Sequence, residues 1–260
     1  MSNDNFNIEA YFERIKYNGK SDVSYETLKA LHIAHTLNVP FENLDVYLGK
    51  PILLDRDSLY KKIVENKRGG YCFEMNGLFS FILKELGFKV TDLLARGIMD
   101  EGKTFTAKVH QVLMVEVDDK RWLVDVGFGM DGITAPVLLE KGMDQNQFSH
   151  TYRLLEDSQY GYILQNKTGE EYNYMYAFTL DKCYPMDYLM SNHFTATFPE
   201  SFFIKMKMCT MPTKEGRITL TDEHFKVIAN GKVSEKKLLS NAEYNVLLKE
   251  YFKLDLDLIK

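Results

Sequence analysis

The run Arg68-Gly69-Gly70-Tyr71-Cys72 sets a thiol behind two glycines, at the head of an amphipathic stretch carrying Met75, Leu78, Phe79, Ile82, Leu83 and Leu86. The glycines let the backbone bend sharply and come close to another group. A thiol at a helix N-terminus also feels the positive end of the helix dipole, which favours thiolate, the nucleophilic form. The opposing reading makes Cys72 a small buried hydrophobe, as free cysteines commonly are. Cys183, before Tyr184-Pro185, and Cys209, in a strand-like run with Met206 and Met208, have neither a glycine approach nor a nearby base. Both read as structural.

A cysteine nucleophile needs a histidine within hydrogen-bond reach, and the histidine needs a group that fixes its tautomer. Six histidines compete: His32, His35, His110, His150, His193 and His224. His110 stands out because Asp125 lies inside the next apolar run, Trp122-Leu123-Val124-Asp125-Val126. A carboxylate among such neighbours is costly to bury unless hydrogen bonds compensate. Strand register decides whether the two meet. With Asp118-Asp119 as a two-residue loop, Val117 opposes Lys120, Val112 opposes Asp125 and His110 opposes Gly127. His110 and Asp125 then share a face as diagonal neighbours, about 7–8 Å apart along the backbones, which side chains can bridge. A three-residue loop would put them on opposite faces. The two-residue register also pairs Glu116 with Arg121 and gathers Val109, Leu113, Val115, Val117, Trp122, Val124, Val126 and Phe128 on the other face. The alternative is that Asp125 merely satisfies a loop or an arginine.

The elements that would carry these residues change period along the chain. Helical spacing marks the first ninety residues: a helix after Ser24, capped by Ser24 or Thr27 and ended by Pro40, a second from Asp57, and a third from Cys72 with Gly87 at its C-cap. From Lys89 the period is two, and runs over 89–96, 109–117, 121–126, 151–155, 160–165 and 172–178 read as antiparallel strands of a barrel or sandwich. Pro185 opens a helix through about Thr195. Strands resume over 202–209, 217–221 and 225–229, with Asn230-Gly231 as a hairpin turn to Lys232-Val233. A last helix starts at Ser240, with Glu243 at capping-box spacing.

Composition narrows the partners. The 260 residues are 45% hydrophobic and 27% charged, with net charge −5 and no Lys/Arg run, which speaks against nucleic acid. A large anionic ligand then needs a local basic or backbone N–H site. The 17 Phe and 16 Tyr suit β structure and apolar pockets. No apolar stretch is long enough to span a bilayer, and Met1 to Phe6 lack the basic start and apolar run of an export signal. Three cysteines without a Cys-x-x-Cys pair fit a reducing, cytoplasmic setting rather than a disulfide framework. No metal site is expected: His32 and His35 are at helical i, i+3 spacing but lack an obvious acidic third ligand.

Together these residues resemble the arylamine N-acetyltransferases, in particular the bacterial members. The resemblance is carried by Pro40-Phe41-Glu42-Asn43-Leu44, by Arg68-Gly69-Gly70-Tyr71-Cys72-Phe73-Glu74-Met75-Asn76-Gly77, by Val109-His110 and by Val124-Asp125-Val126-Gly127-Phe128-Gly129. It is strongest from about Leu31 to Gly129. It implies an α+β fold: a helical bundle over 1–90 with the nucleophile, a central antiparallel β-barrel over 91–200 with the base and its orienter, and a C-terminal α/β lid over 201–260. It implies ping-pong transfer of acetyl from acetyl-CoA to an arylamine or hydrazine, with Cys72 as acyl carrier, His110 as base, Asp125 as orienter and no metal. Phe41 and Phe128 resemble residues lining the acceptor pocket, with plain core as the alternative. Arg68 and Glu42 resemble a structural ion pair near the site. Thr106 and Ala107 align with a loop that contacts CoA, although Ala107 stands where those relatives have Gly; Gly97 and Gly102 bracket that loop. His193 reads as structural, with the cofactor channel as its other placement. Two rivals remain: a transglutaminase-like or papain-like Cys-His-Asp amide hydrolase, and a non-catalytic binding module on the same fold.

Overall fold

A computed structural model describes residues 6–99 and 104–256. Gly102 and the segment Met1 to Asn5, on which the expected absence of an export signal rests, lie outside the described residues.

The helical region begins with α1 (Ile8–Ile15), which the apolar spacing does not announce; the Asn7 side chain caps it. α2 (Tyr25–Asn38) follows, and Ser24 Oγ accepts the Thr27 N–H at 3.2 Å as its cap. Pro40 lies just beyond, where a missing N–H and a fixed φ stop a helix. The short α3 (Leu44–Tyr47) and α4 (Arg56–Tyr60) come next, and α4 runs into a π-helical turn over Lys61–Glu65. α5 (Cys72–Glu85) is the central helix, and Gly87, at φ +92°, closes it. Leu78, Phe79, Ile82 and Leu83 on α5 are fully buried, each stabilising the bundle by ~1.5–3 kcal/mol. No described helix is long and apolar enough to cross a membrane.

Eight strands then form one antiparallel sheet: β2 (Lys89–Met99), β3 (Thr104–Val117), β4 (Lys120–Val124), β5 (Val137–Leu138), β6 (Gln145–Gln147), β7 (His150–Asp157), β8 (Gly161–Thr168) and β9 (Glu171–Phe178). Their order is β5-β4-β3-β2-β9-β8-β7-β6, a barrel whose outer strands are β5 and β6. Side chains close that seam. Gln145 accepts the Leu138 N–H at 2.7 Å and donates to its carbonyl at 3.0 Å. Gln147 accepts the N–H groups of Thr134 and Ala135 and donates to the Ala135 carbonyl at 2.7 Å. Two carboxamides thus stand in for a backbone ladder.

The β3–β4 hairpin takes the expected register: Val117 opposes Lys120, Glu116 opposes Arg121 and Leu113 opposes Val124. Asp118 and Asp119 both have φ near +55°, the type I′ geometry whose twist matches the strands. The Asp118 carboxylate accepts the Tyr25 N–H at 2.8 Å, and Tyr25 stacks on Trp122, fastening the start of α2 to the hairpin. Alternation then sorts the two faces. Leu113, Val115, Trp122 and Val124 join the helical core, while Val112, Met114 and Leu123 fill the barrel.

Phe128 departs from that alternation. The ladder stops at Val124, so the chain is free to turn, and Phe128 packs with the barrel-interior residues rather than with Val124 and Val126. The run expected as a strand over 202–209 also divides. After α6 (Pro185–Thr197), residues Phe202–Lys205 form a helical turn, α7, and the strand, β10, spans Met208–Pro212. β10 pairs with the two-residue β1 (Phe41–Glu42) on one side and β11 (Gly216–Thr221) on the other. β12 (His224–Ala229) and β13 (Lys232–Lys237) complete this second sheet, their turn formed by Asn230 and Gly231 at positive φ. α8 (Asn241–Phe252), capped by Ser240, packs Tyr244, Leu248 and Phe252 into the core of that sheet.

Candidate active site

Cys72 is the first residue of α5 and is 4% exposed. Tyr71 cannot cap the helix with its own side chain, and Glu74 instead reaches back to accept the Tyr71 N–H at 3.1 Å. Neither Gly69 nor Gly70 has positive φ. What they provide is proximity: a Cβ on Gly69 would fall 1.9 Å from the Pro40 carbonyl oxygen, and one on Gly70 2.7 Å from Glu74 Cβ. The approach is held by buried charges, with Arg68 Nη2 2.7 Å from Glu42 Oε1 and Lys62 Nζ 2.7 Å from both Glu74 and Asp45.

His110 and Asp125 come together as the hairpin register requires, with His110 Nε2 2.7 Å from Asp125 Oδ2. The β2–β3 ladder skips one residue here: Ala95 opposes His110 but Arg96 opposes Lys108. Val109 is the extra residue of this bulge, and its carbonyl lies 3.7 Å from the Cys72 thiol. Bulges re-aim neighbouring side chains. Since Nε2 is committed to the carboxylate, Nδ1 is the ring nitrogen left for the thiol.

Asp125 is 1% exposed and fully engaged. Its Oδ1 accepts from Asn76 Nδ2 at 2.8 Å and from the Gly127 N–H at 2.9 Å. Its own N–H donates to His32 Nε2 at 3.2 Å. Burial opposes the carboxylate charge, but His110, Asn76 and Gly127 outweigh it and hold the pKa below the ordinary value. Burial likewise opposes a charged His110. The Asp125 carboxylate overcomes that penalty and the Cys72 side chain adds to its effect, pushing the imidazole pKa from 6.5 up to about 10. His32, buried without such a counter-charge in contact, is pulled down to about 4 and stays neutral, as an acceptor must. By contrast, burial pushes the thiols of Cys183 and Cys209 up.

Cys72 and His110 open onto a cavity of about 470 Å³ whose wall also includes Phe41, Phe128, Gly97 and Thr106. The Phe128 ring meets the His110 ring edge-on at 5.3 Å. Ala107 is exposed and not part of that wall, although its carbonyl accepts from Thr106 Oγ1 at 3.0 Å. His193 is exposed on α6, away from both the core and the cavity. No Lys or Arg among the described residues lines the cavity. Among the described residues no group of three or more His, Cys, Asp or Glu is placed to hold a metal ion. His35 Nδ1 shares a hydrogen bond with the Tyr11 hydroxyl at 2.8 Å instead.

Two residues escape a reading of the sequence alone. Asn76, four residues after Cys72, also donates to the Gln111 carbonyl at 2.7 Å and accepts the Val126 N–H at 2.9 Å, so it ties α5 to both strands. A polar residue one helical turn from the thiol, on the same side of α5, is the available signal. His32 offers only a histidine at a core position of α2. Gly127 is required because a Cβ there would lie 2.9 Å from Cys72 Cα.

A family model described as N-acetyltransferase matches residues 24–260. The arylamine N-acetyltransferase of Escherichia coli K12 is 38% identical over 96% of this chain and 89% of its own. The solved arylamine N-acetyltransferase of Mycobacterium tuberculosis superposes with a TM-score of 0.93 at 32% identity, covering 97% of this chain and 96% of that one. The Mycobacterium marinum enzyme in complex with CoA gives 0.92 at 32%, covering 98% and 95%. With the whole fold and most of the chain's length shared, the chain belongs to the arylamine N-acetyltransferase family.

Proposed function

We propose that this chain transfers acetyl from acetyl-CoA to the amine of an arylamine or arylhydrazine, by a ping-pong route through acetyl-Cys72. The observation that carries the reading is the 2.7 Å contact between His110 Nε2 and Asp125, with the Cys72 side chain acting on the same imidazole at a cavity wall. Family membership supplies the acyl donor and the acceptor class.

The raised proton affinity of His110 lets the ring take the Cys72 proton and leave a thiolate. The thiolate attacks the thioester carbonyl, and collapse of the adduct breaks the C–S bond to CoA. Acetylation removes the negative charge at Cys72, one of the contributions that raise the His110 pKa, so the ring gives its proton to the departing CoA thiolate. Neutral His110 then takes the proton lost by the amine as its nitrogen attacks acetyl-Cys72, and the thiolate is regenerated. Asp125 steadies the imidazolium throughout without taking a proton. The wall of Phe41 and Phe128 suits an aromatic acceptor. No Lys or Arg among the described residues lines that wall, which suits the neutral acetyl-pantetheine end of the donor. Thr106 stays a candidate contact at the rim; Ala107 would act only through its backbone.

Intact-mass analysis after exposure to acetyl-CoA tests this. One added acetyl is expected on the parent, discharged by an arylamine, and none on Cys72→Ala. Peptide hydrolysis without acetyl labelling would point to the amide-hydrolase rival. Ligand binding with no turnover, identical in the parent and Cys72→Ala, would point to the non-catalytic module.

A further inference from the structure

A second cavity, of about 740 Å³, opens beside α5 and shares no residue with the one at Cys72. Its volume is that of a small-molecule site, roughly 300–1,000 Å³. Ile52, Leu54, Phe73, Phe81, Pro185 and Leu189 give it apolar walls. Two neutral polar groups stand among them. The Tyr188 side chain is 7% exposed, and its buried hydroxyl has no hydrogen-bond partner other than the weakly bonding thiol of Cys183, itself in the cavity wall. Gln111, 4% exposed, brings a carboxamide whose oxygen lies against the bare backbone of Gly77.

The charged groups in the wall are already engaged. Asp92 accepts from Ser80 Oγ at 2.6 Å and pairs with Lys84. Asp55 accepts the Ser58 N–H at 3.0 Å as the cap of α4. The Lys182 ammonium lies 5.2 Å over the Tyr184 ring. What remains for a ligand is an apolar slot, a phenol hydroxyl met only by a thiol, which bonds weakly, and a carboxamide able to donate and accept. A buried hydroxyl left poorly paired is costly, so a partner that satisfies it gains that energy on binding.

We propose that this cavity is a second ligand site, which takes an uncharged aromatic molecule bearing an amide group. The ring fills the apolar slot, and the amide exchanges hydrogen bonds with Tyr188 and Gln111. The cavity adjoins the machinery without belonging to it. Gln111 follows His110 in the chain, and the Ile52 carbonyl accepts from Asn192, which in turn accepts from the Tyr71 hydroxyl just before Cys72.

The probe is 4-fluorobenzamide, followed by fluorine NMR line broadening on the whole protein. Binding in the millimolar range or tighter is expected for a ligand of this size. It should survive alkylation of Cys72 by iodoacetamide in a Cys183→Ser background, which takes the free thiol in this cavity's own wall out of the reaction. Tyr188→Phe should weaken it ~3- to 10-fold, and Leu189→Trp, at a half-exposed rim position, should abolish it. Absence of binding to the parent overturns the proposal. So does binding that Cys72 alkylation removes, or that Tyr188→Phe leaves unchanged in a protein with the parent melting temperature. Should Leu189→Trp fail to fold, the near-isosteric Tyr188→Phe and the alkylated Cys183→Ser protein decide the matter.

Discussion

Replacing Asp125 by Asn removes one charge and keeps the shape, and the surrounding hydrogen bonds dictate how the new amide must sit. Oδ1 of Asp125 accepts from two donors, Asn76 Nδ2 and the Gly127 N–H. The oxygen of the introduced carboxamide therefore belongs there, which leaves its NH₂ facing His110 Nε2. Nε2 must then accept, so the imidazole proton moves to Nδ1, the nitrogen left for the thiol. The ring can no longer take a proton from Cys72. The electrostatic loss acts in the same direction. The rise of His110 from 6.5 to about 10 amounts to ~5 kcal/mol in favour of the charged ring, and Asp125 is the largest contribution that raises it. Without it, burial prevails and the ring is neutral at pH 7. A wrong tautomer together with a lost charge should slow acetyl loading by ~10³–10⁴-fold, the scale of the equivalent change in a serine triad. The assay is single-turnover loading from acetyl-CoA at pH 7, read by intact mass, with a thermal melt to show that the variant is folded. Loading within tenfold of the parent, in a folded protein, would refute the argument from tautomer and charge.

Asn76→Ala should leave the Asp125 carboxylate, the Gln111 carbonyl and the Val126 N–H short of one partner each. A loss of ~2–3 kcal/mol in urea unfolding is expected, with a fall in kcat that Asn76→Ser partly restores. Gly127→Ala sets a methyl 2.9 Å from Cys72 Cα and Asn76 Nδ2; a melting-temperature drop corresponding to ~1–3 kcal/mol should accompany the loss of acetyl loading. The pH dependence of stability should have a maximum near pH 6.5. On the acid side, His32 binds its proton in the unfolded chain at about 6.5 but in the folded protein only at about 4. Stability therefore falls as pH drops through that window, by roughly 3 kcal/mol for this group. On the alkaline side the raised folded pKa of His110 contributes stability that is complete below 6.5 and lost as pH rises towards 10. Urea midpoints for the parent and His32→Gln should differ in slope between pH 4 and 6.5; parallel curves would discount His32.

The residues of the candidate site are legible in the sequence because the physics that places them is local. Two aspartates in the loop fix the twist of one hairpin, the hairpin fixes the register, and the register puts a carboxylate and an imidazole on one face. The switch from helical to alternating periodicity after Gly87 is legible for the same reason. What lies beyond the ladder is not. Phe128 follows the point at which β4 loses its partner, so alternation no longer governs it. The role of Asn76 depends on contacts with Gln111, Asp125 and Val126, far along the chain, that no helical pattern displays. The run from Phe202 carries aromatic and β-branched residues, and the turn of helix there reflects its packing against the helical core rather than local preference. The glycines before Cys72 suggest a flexibility that their φ angles do not use; their real requirement, a carbonyl at 1.9 Å from a would-be Cβ, is a property of the assembled site.

The seam between β5 and β6 has one more consequence. An ordinary strand pairing is written in the main chain, and most side-chain substitutions leave its hydrogen bonds in place. Here the joint is written mainly in Gln145 and Gln147, beside one main-chain bond from the Gly142 N–H to the Leu154 carbonyl, so substitution of both should loosen the wall of the barrel at a chosen point while leaving the strand ladders intact. Amide exchange at Thr134, Ala135 and Leu138 would report whether the seam is open or shut.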